Sequence, residues 1–239
     1  MGQYYHPQVV QSGLILCYDF ANVISYTGSG ITVNNISQSG FGATLINSPT
    51  YSSDNLGHMS FLSSSSQYGI FPGFGTTLTN FTVETWFQIN KYPFNQVPAI
   101  VTQRYTGVAP VNRINFSFGF NGADTTGAFD GKINGGFYDG TWRLTSGIGS
   151  DVYMNKWLQG AVTYDGSTIT QYSNGISHST KSRTGTSLSH NFSNNILMKR
   201  WDDPNFIEGK LAIVRIYNRS LTATEILKNF NANRGRFGI

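Results

Sequence analysis

The chain has 239 residues, a net charge of +4 and only 12% charged side chains, against 27 glycines, 17 phenylalanines and 13 tyrosines. That aromatic content can build a core, which excludes a disordered chain, and the length suits one large all-β domain. The charge excess lies wholly after residue 198, where eight basic side chains meet four acidic ones; it is too sparse for a nucleic-acid stripe and reads as scattered solvated charge. Cys17 is the only cysteine, so no intrachain disulfide can form, and it sits in the apolar run LILCYDF as a small core hydrophobe. No apolar run approaches the ~20 residues that cross a bilayer. Met1 is followed by the polar run GQYYHPQ, not by a signal peptide, so a chain made and folded in a cytosol is expected.

In chain order, residues 1–12 read as an extended arm containing Pro7, and residues 13–239 as a single domain without a linker. Residues 14–20 form the first strand, followed by a Gly/Ser/Asn loop over 22–38 with Gly28 and Gly30 as breakers. Short strands are predicted near 44–47, 58–62 and 67–71. FTVETWFQIN, residues 81–90, is the clearest strand: Val83, Thr85, Phe87 and Ile89 share one face, and Glu84, Trp86 and Gln88 the other. Further strands are predicted at 99–104, 113–120, 132–137 and 141–145. The irregular glycines over 121–140 mark a long loop holding at most a short strand.

Residues 157–180 contain Asp165-Gly166 and Asn174-Gly175, pairs suited to tight hairpins with seven residues between them. They predict a three-stranded meander closed by two type I′ turns, with Trp157 in the core. Strands at 195–201 and 206–217 follow. One helix is predicted over 223–233: Thr222 and Glu225 form a capping box, Leu221 can staple onto Ile226, and Ile226, Leu227 and Phe230 make an apolar stripe that Gly235 ends. Many short strands with one terminal helix predict a two-sheet antiparallel jelly-roll sandwich.

Three segments carry a family resemblance: HPQVVQSGLILCYDFANVISYTGSG, FTVETWF, and KWLQGAVTYDGSTITQYSNG with FIEGKLAIVRIYNRSLTATEILKNFNANRGRFGI. Together they resemble laminin-G-like domains of the concanavalin A-like lectin/glucanase superfamily, in the version common in tailed-bacteriophage virion proteins. The resemblance implies a lectin-type sandwich and a structural role in a virion. It departs from the pattern at Ala212 and Ile213, where relatives often carry an acidic pair, so any polar task of that pair is not done here.

The glucanase branch needs two carboxylates ~5–5.5 Å apart for retention, set along one strand. This chain has three glutamates, Glu84, Glu208 and Glu225, and none has a carboxylate two or four residues away. No enzyme activity is therefore expected. His6, His58, His178 and His190 lack metal-ligand spacing, and neither GxSxG nor GxGxxG occurs. Ca²⁺ is the one cofactor with support, none being required: Asp124, Asp130 and Asp139 lie in the loop NGADTTGAFDGKINGGFYDG, and Asp202-Asp203 is a second candidate. Turn chemistry explains the same aspartates. A sugar-binding site would stack a ring on Trp142 or Tyr138 and hydrogen-bond to Asn121 and Asp139, with Tyr105 nearby. Tyr4, Tyr5, Phe237 and Ile239 put aromatic and apolar groups at both ends, where they are expected to bury against the sandwich or a neighbour. The expected setting is the virion, assembled in the host cytoplasm. The expected partners are other virion proteins, further copies of this chain and a host surface glycan, with no nucleic acid and no membrane insertion.

Overall fold

Alternation decides which residues meet. The computed structural model describes residues 8–37, 40–74, 78–91, 99–104, 114–120, 131–138, 142–144, 152–184, 194–199 and 205–239. The strands are β1 (Leu14–Asp19), β2 (Thr32–Val33), β3 (Ala43–Ile46), β4 (Thr50–Ser52), β5 (His58–Phe61), β6 (Tyr68–Pro72), β7 (Phe81–Lys91) and β8 (Ala99–Arg104). They continue with β9 (Ile114–Phe120), β10 (Ile133–Tyr138), β11 (Trp142–Leu144), β12 (Trp157–Tyr164), β13 (Thr168–Ser173), β14 (Ile176–Ser182), β15 (Asn194–Leu197) and β16 (Glu208–Tyr217), before the helix α1 (Ala223–Phe237). β2 arises inside the span expected to be loop, held by its pairing with β3.

Two antiparallel sheets form the sandwich. Sheet A runs β14-β13-β12-β7-β16-β5-β4, with β1 on the same edge of β16 as β5; sheet B runs β11-β10-β9-β8-β15-β6-β3-β2. The core between them includes Val83, Phe87 and Ile89 of β7, Val162 and Tyr164 of β12, Leu211, Val214 and Ile216 of β16, and Val101, Phe118, Phe137 and Leu197 from sheet B. Glycine lets the sheets close where side chains would collide. A Cβ on Gly135 would lie 2.9 Å from Val162, and one on Gly160 would lie 2.6 Å from Phe118.

The alternate residues of sheet A point outward, and α1 covers them. Trp86, Ala212 and Ile213 form a second apolar cluster with Phe230 and Phe237. Trp86 stacks on Phe237 with ring centroids 4.3 Å apart, and on Phe230 at 5.7 Å. Trp157, expected in the core, is instead half-buried at the rim of this outer layer and donates its indole N–H to Asn55 (3.1 Å). Its position at the start of β12 leaves the ring level with the end of α1 rather than between the sheets. Ala212 and Ile213 are fully buried, so apolar packing under α1 fills the place of the acidic pair.

The capping box at Thr222 and Glu225 forms as expected, and Leu221 and Ile226 share one cluster. Two expectations for the helix change. Gly235 does not end it: the helix runs to Phe237, whose ring is held by Trp86, and Gly238 at φ +70° caps it by donating to the Arg234 carbonyl. Leu227 is 43% exposed, so the buried stripe is Ile226, Asn229, Phe230 and Phe237. The meander forms, but only Asn174-Gly175 (φ +49°, +79°) has the two positive φ angles of a type I′ turn. At the other turn only Gly166 has positive φ. The Asp165 carboxylate accepts from the Ser167 and Thr168 N–H groups (2.8 and 2.7 Å), which opens that turn into a wider loop.

Candidate functional site

The glutamates come first, because a hydrolase would need them free. Glu84 is fully buried on the outer face of β7. Its Oε1 accepts from Arg215 (3.1 Å) and Gln159 (3.4 Å), and its Oε2 from Asn229 on α1 (2.7 Å). Asn229 also donates to the Tyr217 hydroxyl (3.0 Å) and accepts from the Val10 N–H (2.8 Å), and Tyr217 donates to the Val10 carbonyl (3.1 Å). Burial, above all, pushes the Tyr217 hydroxyl pKa up, which keeps it a neutral donor. This network clamps α1 and residues 8–12 onto sheet A, so the last residues of the expected arm belong to the domain.

Glu225 forms a two-bond pair with Arg219 (2.6 and 2.9 Å) besides its cap. The Arg219 bonds, aided by the Thr222 N–H, hold its carboxyl down at about 2. Glu208 accepts from Ser63 (2.8 Å). All three glutamates of the chain therefore have structural partners. The segment RIYNRSLTATE is a clasp between sheet A and α1.

α1 covers the outer face of sheet A around Trp86, Ala212 and Ile213, and no α-helix among the described residues lies on the outer face of sheet B. Register places one row of positions straight across it: Gly136, Ser117, Thr102, Ile196, Ile70, Thr44 and Thr32. Ser117 and Thr102 are buried, Ile196 and Ile70 half-buried, and Thr44 and Thr32 exposed. The accessible half is thus β15, β6, β3 and β2. At its end Lys199 places Nζ 4.9 Å from the Tyr68 ring centre and 5.3 Å from the Phe206 ring centre. All three side chains are half-buried, and Lys199 has no carboxylate partner among the described residues. Two aromatic rings, an ammonium with no carboxylate partner among the described residues, and the exposed Thr44 and Thr32 suit non-covalent contact with a polar ring compound.

Of the sites expected from sequence, Tyr105, Asn121, Asp124, Asp130, Asp139, Asp202 and Asp203 lie outside the described residues. Tyr138 and Trp142 are register partners across β10 and β11, at the far side of sheet B from Lys199, but their side chains also lie outside. No cluster of His, Cys, Asp and Glu that could hold a metal occurs among the described residues. His58 is buried against Trp157, and burial lowers its pKa. Tyr68, Lys199 and Phe206 were missed in the sequence because they come from two distant segments, and nothing local announces their meeting.

A laminin-G family model of the concanavalin A-like lectin/glucanases superfamily matches residues 63–227. The chain belongs to this superfamily. No curated protein matches this laminin-G-like chain in sequence. Among solved structures it is similar to domain 4 of AbnA, a GH43 extracellular arabinanase from Geobacillus stearothermophilus, in complex with arabinotriose (16% identity, TM-score 0.65, 91% of this chain and 98% of that one). It is also similar to Trypanosoma rangeli sialidase (12%, TM-score 0.64), covering 94% of this chain but only 33% of the sialidase. The binding domain of Paraclostridial Mosquitocidal Protein 1 is a third (14%, TM-score 0.61, 93% and 52%). At these identities the likeness is one of fold. The laminin-G-like sandwich expected from sequence is the fold observed.

Proposed function

We propose that this laminin-G-like domain is a non-catalytic surface protein of a bacteriophage virion, a head decoration or a fibre or adhesin component, that recognises a glycan on the host surface. One observation carries the non-catalytic reading: each glutamate is bonded into the clasp, the helix cap or a serine contact, so no carboxylate pair is left from that residue type. Glycan recognition is supported by the aromatic–lysine cluster on the open half of sheet B and by a structural neighbour bound to arabinotriose. The virion setting rests on the resemblance of the three sequence segments to phage virion domains. Further copies of this chain and other virion proteins are the proposed assembly partners, and Ca²⁺ is an optional ligand of the aspartate loop.

The second reading is a free lectin, and a glucan hydrolase is the third. Mass spectrometry of purified particles separates the first two: the chain is expected in virions, and its absence removes the virion role. A reducing-sugar assay on laminarin-type polymers is expected to show no product, and steady release of reducing ends would establish a hydrolase. Tyr68→Ala is expected to weaken glycan binding about tenfold, the scale of one aromatic contact.

A further inference from the structure

Three aliphatic side chains stand out into water on firmly held backbone: Val23 (70% exposed), Ile24 (69%) and Leu56 (70%). They belong to two loops that meet the end of α1. Arg236 joins the three segments: it donates to the Asp19 carboxylate (2.7 Å), to the Asn55 carbonyl (2.6 Å) and to the Gly57 carbonyl, and Asn55 Nδ2 donates to the Arg236 carbonyl (3.2 Å). Gly57 lies so close to Phe20 that a Cβ on it would strike the Phe20 carbonyl. Ile239, 40% exposed, is tied beside them by its N–H to the Arg234 carbonyl (3.3 Å). We propose that this face is the contact between two copies of the chain, related by a two-fold axis. The inference rests on the self-assembly proposed above and names its surface; it does not depend on the glycan face of sheet B.

Both loops are prepared to leave water. The Ile24 N–H donates to Asn22 Oδ1 (2.9 Å), and Asn34 Nδ2 donates to the Ile24 carbonyl (3.0 Å). A partner laid on Ile24 therefore orphans neither of its backbone groups. Leu56 has φ +63°, in the left-handed region that suits Gly, Asn and Asp. A leucine there costs more locally than an asparagine would, and its exposed side chain recovers little of that within its own chain. Burial against a second surface offsets the cost.

Area and charge point to a second copy as the occupant. The four aliphatic residues present roughly 400 Å² of apolar surface, close to the apolar share, about 57%, of the ~800 Å² that one partner contributes to a standard interface. The rim carries both signs. Asp54 lies two residues before Leu56, Lys156 adjoins Trp157, whose indole N–H is held by Asn55 (3.1 Å), and Arg234 holds the Ile239 N–H. All three charged side chains are exposed, and none has an ion-pair partner among the described residues. A face bearing both signs complements itself under a two-fold rotation, which brings Asp54 of one copy towards Lys156 or Arg234 of the other. An acidic peptide or an anionic lipid surface would instead bring like charge onto Asp54.

The test is sedimentation equilibrium on the full chain up to about 500 µM, with Ile24→Ser, Leu56→Asn and the double variant. The unaltered chain is expected to dimerise, half-dissociated at about 1–100 µM. Each single variant should raise the dissociation constant about tenfold or more, and the double variant should remain monomeric throughout. Asp54→Lys, which leaves the rim wholly basic, should also weaken the dimer. Asparagine suits the left-handed backbone at position 56, so Leu56→Asn keeps the fold, and circular-dichroism melts at a concentration where both chains are monomeric should coincide. An oligomer that Ile24→Ser and Leu56→Asn leave untouched would overturn this face while self-assembly stands. A strict monomer at about 500 µM would overturn both.

Discussion

Removing the Glu84 carboxylate should damage stability, not chemistry, and the size of the damage can be worked from its surroundings. In Glu84→Ala the Arg215 guanidinium, 3% exposed, loses its ion pair, and Asn229 and Gln159 each lose an acceptor. Breaking a buried pair from one side costs about 3–5 kcal/mol, because the remaining charge stays desolvated. For a domain of this size each kcal/mol is worth about 2–4 °C in thermal midpoint, so a fall of roughly 6–20 °C is expected. Urea denaturation with circular dichroism gives the free energy directly, and a cycle with Arg215→Ala isolates the pair. The double variant should be less unstable than the sum of the singles, since it removes the orphaned charge. A loss under about 1 kcal/mol, or strict additivity, would refute the view that Glu84 is the keystone under α1.

Four further outcomes follow from the same geometry. Gly175→Ala places a Cβ 2.9 Å from Leu227 at φ +79°, and should destabilise by at least about 1 kcal/mol by urea melts. Stability should fall on acidification in two steps. Burial depresses His58, so stability declines as the pH drops below its unperturbed 6.5, and His58→Gln should flatten that limb. Glu225 contributes fully above its unfolded value of 4.5 and loses its contribution as pH falls towards about 2, which Arg219→Ala should diminish in the same thermal scans. Trp142→Ala should abolish glycan binding with an unchanged thermal midpoint if the β10–β11 edge is the site; a loss of ~3–5 kcal/mol instead would mark Trp142 as core. Light scattering after size exclusion should show an oligomer. A strict monomer whose particle binding survives trimming of both ends would count against assembly through the termini.

The sandwich was legible because its signals are local. The alternation of FTVETWFQIN assigned both faces of β7 correctly, and Thr222 with Glu225 fixed the start of α1. The errors came where tertiary contact overrode a local rule. Gly235 looked like a stop, but Phe237 has a stacking partner on β7, and that contact carries the helix onward. Asp165-Gly166 had the composition of a two-residue turn, yet the aspartate side chain took the backbone donors itself. Trp157 read as core because alternation cannot tell an inter-sheet face from a face covered by a helix. Phe237 is buried as expected, against its own sandwich, whereas Ile239 is 40% exposed; Tyr4 and Tyr5 lie outside the described residues. The Glu84–Arg215–Asn229 clasp joins Glu84 to two residues 131 and 145 positions further along the chain, and the row across sheet B needs the strand order, which no local pattern encodes.

Glycan recognition without hydrolysis is tested most directly by probing a glycan array with the full chain and incubating the best ligand with it overnight. The expected result is saturable binding to a defined glycan class, weakened by Tyr68→Ala, with every bound glycan recovered intact. Shortened glycans after incubation would contradict the non-catalytic half of the claim, and no binding to any glycan would contradict the other.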